Sequence, residues 1–253
     1  MLHKQTAVLF VLLSLSGILY ADSRDRPTVF SSGEQRVALI ELFTSEGCSS
    51  CPPADRWLSG LKKDSGLWTH YVPIAFHVDY WDYIGWKDRF SQPEFSDRQR
   101  RHAREGGTRV VYTPGFFRHG KDWRGWRSGK IGEMDELVAG NLDVHVDGQQ
   151  ATIRFVSSDP NRRKLVANVA LLGMNLETSV LAGENEGRKL RHDFVALHVT
   201  AISLVRSGSA YEATMKLSEA DASVHELALA AWISEAGSQT PLQSVGGFLP
   251  APL

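Results

Sequence analysis

The chain's two cysteines lie in one short motif, Gly47-Cys48-Ser49-Ser50-Cys51-Pro52-Pro53. Upstream, residues 37–43 are an apolar run that reads as a buried strand. Downstream, Trp57, Leu58 and Leu61 fall on one face of a helix that starts near Pro52. Prolines are tolerable in that first turn, because its N–H groups have no helical partner to lose. A Cys-x-x-Cys at a strand-to-helix junction faces free backbone N–H groups and the positive end of the helix dipole. Both favour the thiolate, which is the reactive form.

The spacing lets the two sulfurs meet in a small ring, with Cys48 the more exposed. Cys48 is then the candidate nucleophile and Cys51 the resolving thiol of disulfide exchange with protein or peptide partners. Two other chemistries stay open. The pair fits a purely structural disulfide, or a non-catalytic binding protein for an envelope partner or for a copper or zinc ion, whose site His77 or His119 would complete.

The chain starts with His3 and Lys4, continues with an apolar stretch from Ala7 to Leu19, and reaches Ala21 before Asp22 and Arg24. Residues 1–21 therefore read as a secretory signal peptide, giving a secreted or periplasmic protein where a cysteine pair can be oxidised. That apolar stretch is short of the ~20 residues of a spanning helix, so no membrane span is expected in the mature chain. A net charge of -1 gives no reason to expect nucleic acid as a partner. The basic cluster from Arg98 to Arg104 is interleaved with Asp97 and Glu105, as on a solvated helix face.

Strand and helix signals alternate through the first half. Residues 71–78 read as a second buried strand, followed by an aromatic loop holding Tyr80, Trp81, Tyr83 and Trp86. A polar helix fits residues 93–105, a short strand 108–112, a hairpin return 123–126 and a last helix 130–139. From Leu142 the texture changes. A hairpin turning at Asp147-Gly148 is followed by strand candidates at 165–172, 194–205, 211–217 and 227–233. The expected architecture is an α/β domain over 36–140 and a β-rich, sandwich-like domain over 141–253.

Residues 41–55, 77–88 and 112–114 together make the first domain resemble a thioredoxin-like domain, and the wider chain resembles a family of secreted bacterial thioredoxin-like proteins of unassigned function. The segment 183–192 also looks like part of that family's pattern. The resemblance implies a redox dithiol at Cys48 and Cys51, a cis proline at Pro114 facing it, and a substrate-binding role for Thr113 and Pro114. It implies no cofactor, and an unidentified redox partner. A buried acid assists proton transfer in thioredoxin; Glu41 is the nearest candidate, with His77 at the border of the dithiol. Gly47 stands where thioredoxin has tryptophan, and Ser49-Ser50 replaces Gly-Pro, so the direction of exchange stays open.

Overall fold

The structure is a computed structural model that describes residues 27–106, 110–129, 131, 135–162 and 164–250. The expected signal segment, 1–21, lies outside the described residues. In chain order the first strands and helices are β1 (Thr28–Ser31), β2 (Ala38–Thr44), α1 (Pro52–Gly60), β3 (Tyr71–His77), α2 (Pro93–Glu105), β4 (Gly115–Arg118) and β5 (Lys121–Asp122). Then come β6 (Gly140–Asp147), β7 (Gln150–Ser157), β8 (Leu165–Gly173), β9 (Leu176–Ser179) and β10 (Lys189–His192). The chain closes with β11 (Val195–Ser203), β12 (Val205–Ser207), β13 (Ala210–Lys216), β14 (Leu227–Glu235) and β15 (Pro241–Phe248).

The expected α/β thioredoxin-like domain followed by a sandwich-like β domain is not what these strands build. Among the described residues there are fifteen strands, two α-helices and three short 3-10 segments, so the protein is mostly β. Strands from both sides of Gly140 share one eight-stranded sheet, ordered β15-β14-β8-β11-β3-β2-β4-β5. A second sheet, β1-β6-β7-β13-β12, takes its edge strand from the N-terminal side, and β9 pairs with β10 separately. The physical reason lies in β3, buried at every position and in need of a partner on each edge. One edge takes β2 in parallel register, Leu42 opposite Ala75. The other takes the start of β11, where Val195 pairs with Ala75 and the Ala75 N–H donates to the Phe194 carbonyl at 2.8 Å.

Period-2 alternation explains how the layers stack. Along β14, Ala228, Ala230 and Trp232 pack into one core with Leu42, Phe43, Leu58, Phe76 and Phe116. Leu227, Leu229, Ala231 and Ile233, between them, pack into the other core with Leu142, Ile153 and Phe155 of the five-stranded sheet. A strand that serves two cores must be apolar throughout, as the run Leu227–Ile233 is. Gly140 opens β6 at φ +101, and a Cβ there would sit 2.1 Å from the Val156 carbonyl oxygen, so only glycine fits. Gln243 joins the layers: its side-chain oxygen accepts the Val37 and Ser244 N–H groups, while its amide donates to the carbonyls of Gln35 and Gly140.

Three local expectations fail. Residues 135–139 are not helical, and Val138 forms an isolated bridge with Gln35; the rest of that expected helix is largely outside the described residues. No strand forms at residues 110–112, and 108–109 lie outside the described residues. β4 returns through Lys121–Asp122, not through residues 123–126. Trp123 and Trp126 instead cluster around Trp57 and Phe116, with ring centroids 5.1–6.5 Å apart.

Candidate functional site

β2 ends at Thr44, and the next residues turn so that the Cys48 N–H donates to the Ser45 carbonyl at 3.2 Å. Cys51 caps α1, its carbonyl accepting the Ala54 N–H at 2.8 Å while Pro52 and Pro53 fill the first turn. Cys48 and Cys51 form a disulfide. Cys48, expected to be the more exposed of the two, is 1% exposed and Cys51 0%, so both are buried. The cysteine loop is held from two sides, while Ser49 and Ser50 between the cysteines are exposed. On one side Gly47 meets the aromatic loop, where a Cβ would lie 3.1 Å from Trp81 Cβ. That approach leaves no room for a tryptophan at position 47. On the other side the Ser49 N–H donates to Glu184 Oε2 at 3.0 Å, and the Asn185 amide donates to the carbonyls of Glu46 and Cys48 at 2.8 and 3.0 Å.

The Thr113–Pro114 bond is cis. Phe43 pairs with Gly115, so Pro114 enters β4 at the end of β2 from which the cysteine loop leaves. Trp81 links the two segments, packing on Gly47 and donating its indole N–H to Thr113 Oγ1 at 2.7 Å. Of the four loop aromatics, Tyr80 and Trp81 pack against the core and Trp86 donates to Glu46 Oε2. Tyr83 is 83% exposed.

Behind the disulfide lies a set of buried ionisable groups brought from five segments: Glu46, Asp55, His77, Asp88 and His192. Asp88 is the hub. Its carboxylate accepts His77 Nδ1 at 2.6 Å, the Glu46 N–H at 2.8 Å and the Phe90 N–H at 2.9 Å. Burial pulls the His77 pKa down, but Asp88 beside it overrides this and leaves it raised. Burial pushes Asp88 up, and His77 with the two backbone donors leaves it lowered. Both shifts favour the charged forms of the pair. The His192 ring stands 4.9 Å from that of His77, and its Nε2 lies 3.2 Å from Glu46 Oε1 without the alignment of a hydrogen bond.

Asp55, four residues beyond Cys51 and on the same face of α1, is raised by burial, with His192 and His77 pulling the other way. It is the buried carboxyl nearest in sequence to Cys51. Sequence reasoning passed over it, although an acid among the apolar positions of α1 was a usable signal. Glu46, directly before Gly47, carried a similar one. Nothing in the pattern pointed to Asp88 or His192 as partners of His77, because they arrive from distant segments.

Glu41 has another role. It is fully buried on β2 and paired with Arg98 Nε at 2.6 Å and His102 Nε2 at 3.0 Å. Burial pushes its carboxyl up, and Arg98 and His102 more than reverse this, from 4.5 to about 2. A carboxylate held that low is an ion-pair anchor for α2 and does not shuttle protons near neutrality. With its folded pKa below the unfolded one, its stabilisation is fully present above about pH 4.5 and is lost as pH falls toward 2. That amounts to about 3 kcal/mol. Urea unfolding measured from pH 6 to pH 2 should therefore fall more steeply in the wild type than in Glu41→Gln; equal slopes would contradict this reading.

Among the described residues, no group of three or more His, Cys, Asp or Glu side chains is placed to hold a metal. His119, a conceivable ligand on sequence, lies beside Asp135, its pKa lowered to about 4 by burial and by Arg36 and Arg118. No helix among the described residues is long and apolar enough to cross a membrane.

Two solved structures share the architecture. A crystal structure of a protein from Agrobacterium tumefaciens, a structural-genomics target, is 23% identical with a TM-score of 0.57, covering 85% of this chain and 95% of that one. HBP35 of Porphyromonas gingivalis is 15% identical with a TM-score of 0.56, covering 86% of this chain and 77% of that one. At such identities the likeness concerns fold alone. No curated protein matches the chain. The model of a family described as a protein of unknown function (DUF1223) matches residues 39–234, a span that includes the disulfide, the ionisable groups behind it and residues 184 and 185.

Proposed function

The chain belongs to this family of unknown function, and we propose that it exchanges disulfides with protein or peptide partners through Cys48 and Cys51. The observation that carries the reading is the bonding of the two cysteines to each other at the head of α1, with a buried carboxyl, Asp55, one turn further on. In the reduced protein the helix start favours a Cys48 thiolate. That thiolate attacks one sulfur of a substrate disulfide, forms a mixed disulfide and expels the other substrate sulfur as thiolate. Cys51 then gives up its proton and attacks Cys48 Sγ, which closes the internal disulfide and releases the second substrate thiolate. Two electrons pass to the substrate. A dithiol partner restores the reduced pair by the reverse steps. Thr113 and Pro114, at the end of β2, would border the substrate chain, and an exported location follows from reading residues 1–21 as a signal.

The burial of both sulfurs favours a second reading, a disulfide that serves only as a crosslink. The reduction potential of the pair separates the two. A value between about −270 and −120 mV supports exchange, and one below about −300 mV marks a crosslink. Equilibration of the purified protein against glutathione or dithiothreitol buffers, read by alkylation and mass, measures it.

A further inference from the structure

Residues 183–188 form the turn between β9 and β10, and this turn is tied to itself as firmly as to the cysteine loop. The Val180 N–H donates to the Arg188 carbonyl and the Gly187 N–H to the Val180 carbonyl, each at 2.9 Å. Arg188 Nη1 holds Asn185 Oδ1 at 3.0 Å. Asn185 itself is fully buried, and its amide spends both N–H groups on main-chain carbonyls of the cysteine loop, those of Glu46 and Cys48. Glu184 is exposed, yet its carboxylate takes the backbone N–H of Ser49, the first residue between the cysteines. Gly183 completes the contact, a Cβ there lying 3.3 Å from Trp86 Cβ on the aromatic loop. The cysteine loop is thus held between a folded turn on one side and Trp81 on the other; Cys48 is 1% exposed, while Ser49 and Ser50 beside it are open to solvent.

We propose that the 183–188 turn is a removable strap on the cysteine loop, with Glu184 as its latch and Asn185 as its seat, and that an attacking thiol reaches Cys48 only after the strap has released the loop. The inference takes its purpose from the exchange reading above, but its contacts and its test do not depend on it. A strap that must open before attack taxes the rate by the fraction of time it is open. Its three hydrogen bonds to the cysteine loop come from side chains, so they can be removed one residue at a time without touching the sulfurs. The Glu184 contact is charge-assisted and solvent-exposed, and the two from Asn185 are buried.

A dithiothreitol thiolate attacks Cys48 Sγ, the Cys48–Cys51 bond breaks with its electron pair leaving on Cys51, and the second dithiothreitol thiol attacks the mixed disulfide to release Cys48. The reductant ends as its cyclic disulfide.

The test is the rate of reduction of the full chain's disulfide by dithiothreitol at fixed pH, followed by quench, alkylation and mass. Glu184→Ala should raise the rate several-fold and Asn185→Ala about tenfold or more, the effect of losing one and two strap contacts. Glu186→Ala, an exposed change in the same turn, should leave it unaltered. Wild-type rates in both Glu184→Ala and Asn185→Ala, with native circular dichroism, would overturn the strap. If Asn185→Ala does not fold, Glu184→Ala alone decides. A faster Glu184→Ala that still fails to reduce insulin supports the strap and counts against the exchange reading instead.

Discussion

Serine at Cys48 is expected to reduce insulin-disulfide turnover to the rate of the buffer, whereas serine at Cys51 should leave the first attack intact and accumulate mixed disulfides with the substrate. The difference between the two variants is the informative part. As a crosslink, the pair closes a ring with a sequence separation of 3 and contributes only about 2 kcal/mol by restricting the unfolded chain. Either substitution removes that amount equally, so unfolding curves of the two variants should shift together. Trapping should not. A mixed-disulfide adduct seen by non-reducing gel and mass for Cys51→Ser, and absent for Cys48→Ser, assigns Cys48 as the attacking sulfur. If both variants equal the wild type in insulin reduction and in refolding of a disulfide-containing protein, the exchange reading is wrong.

Asp88→Ala should be the most damaging single change behind the site. It strips the counterion from His77, which is 1% exposed, and leaves the N–H groups of Glu46 and Phe90 without acceptors. Breaking a buried pair from one side costs about 3–5 kcal/mol, because the surviving charge has nowhere to go. The pH dependence follows from the signs. Asp88 is lowered in the folded state, so its share is present above its unfolded pKa of about 4 and is lost as pH falls. His77 is raised, so its share is complete below its unfolded pKa of about 6.5 and is lost as pH rises through the folded value. The penalty of Asp88→Ala in urea unfolding should therefore be greatest between about pH 4 and 6.5 and smaller at pH 8. A penalty independent of pH would show that packing, and not the ion pair, is what the substitution removes.

Elements built from local pattern were legible. The apolar runs at β2, β3, β8 and β14, the Asp147-Gly148 hairpin and the proline-started helices α1 and α2 all occur close to where spacing put them. Strands defined by their neighbours were not. β1, β9, β10 and β15 are short, polar on alternate residues or interrupted by glycine, and exist because another strand holds them. The joining of both halves into one sheet escaped for the same reason: an apolar run declares that it is buried, not by what. The cysteine pair was plain from sequence, and its cover was not. The turn at residues 183–188 reads as an ordinary surface loop until Asn185 is seen under it, bonded to Cys48 across a separation of 137 residues.

The shared sheet also sets an order of manufacture. A growing chain that has reached Gly140 has made the cysteines, β2 and β3, but nothing yet to lay along the outer edge of β3, and no Glu184 to hold the Ser49 N–H. Non-local partners of this kind come at the end of folding, when loop closure has been met by many contacts at once. Until then the apolar strand Tyr71–His77 is a sticky edge, and the two thiols are bare. The sulfurs are thus most open to an oxidant in the unfinished protein, before the fold has closed around them.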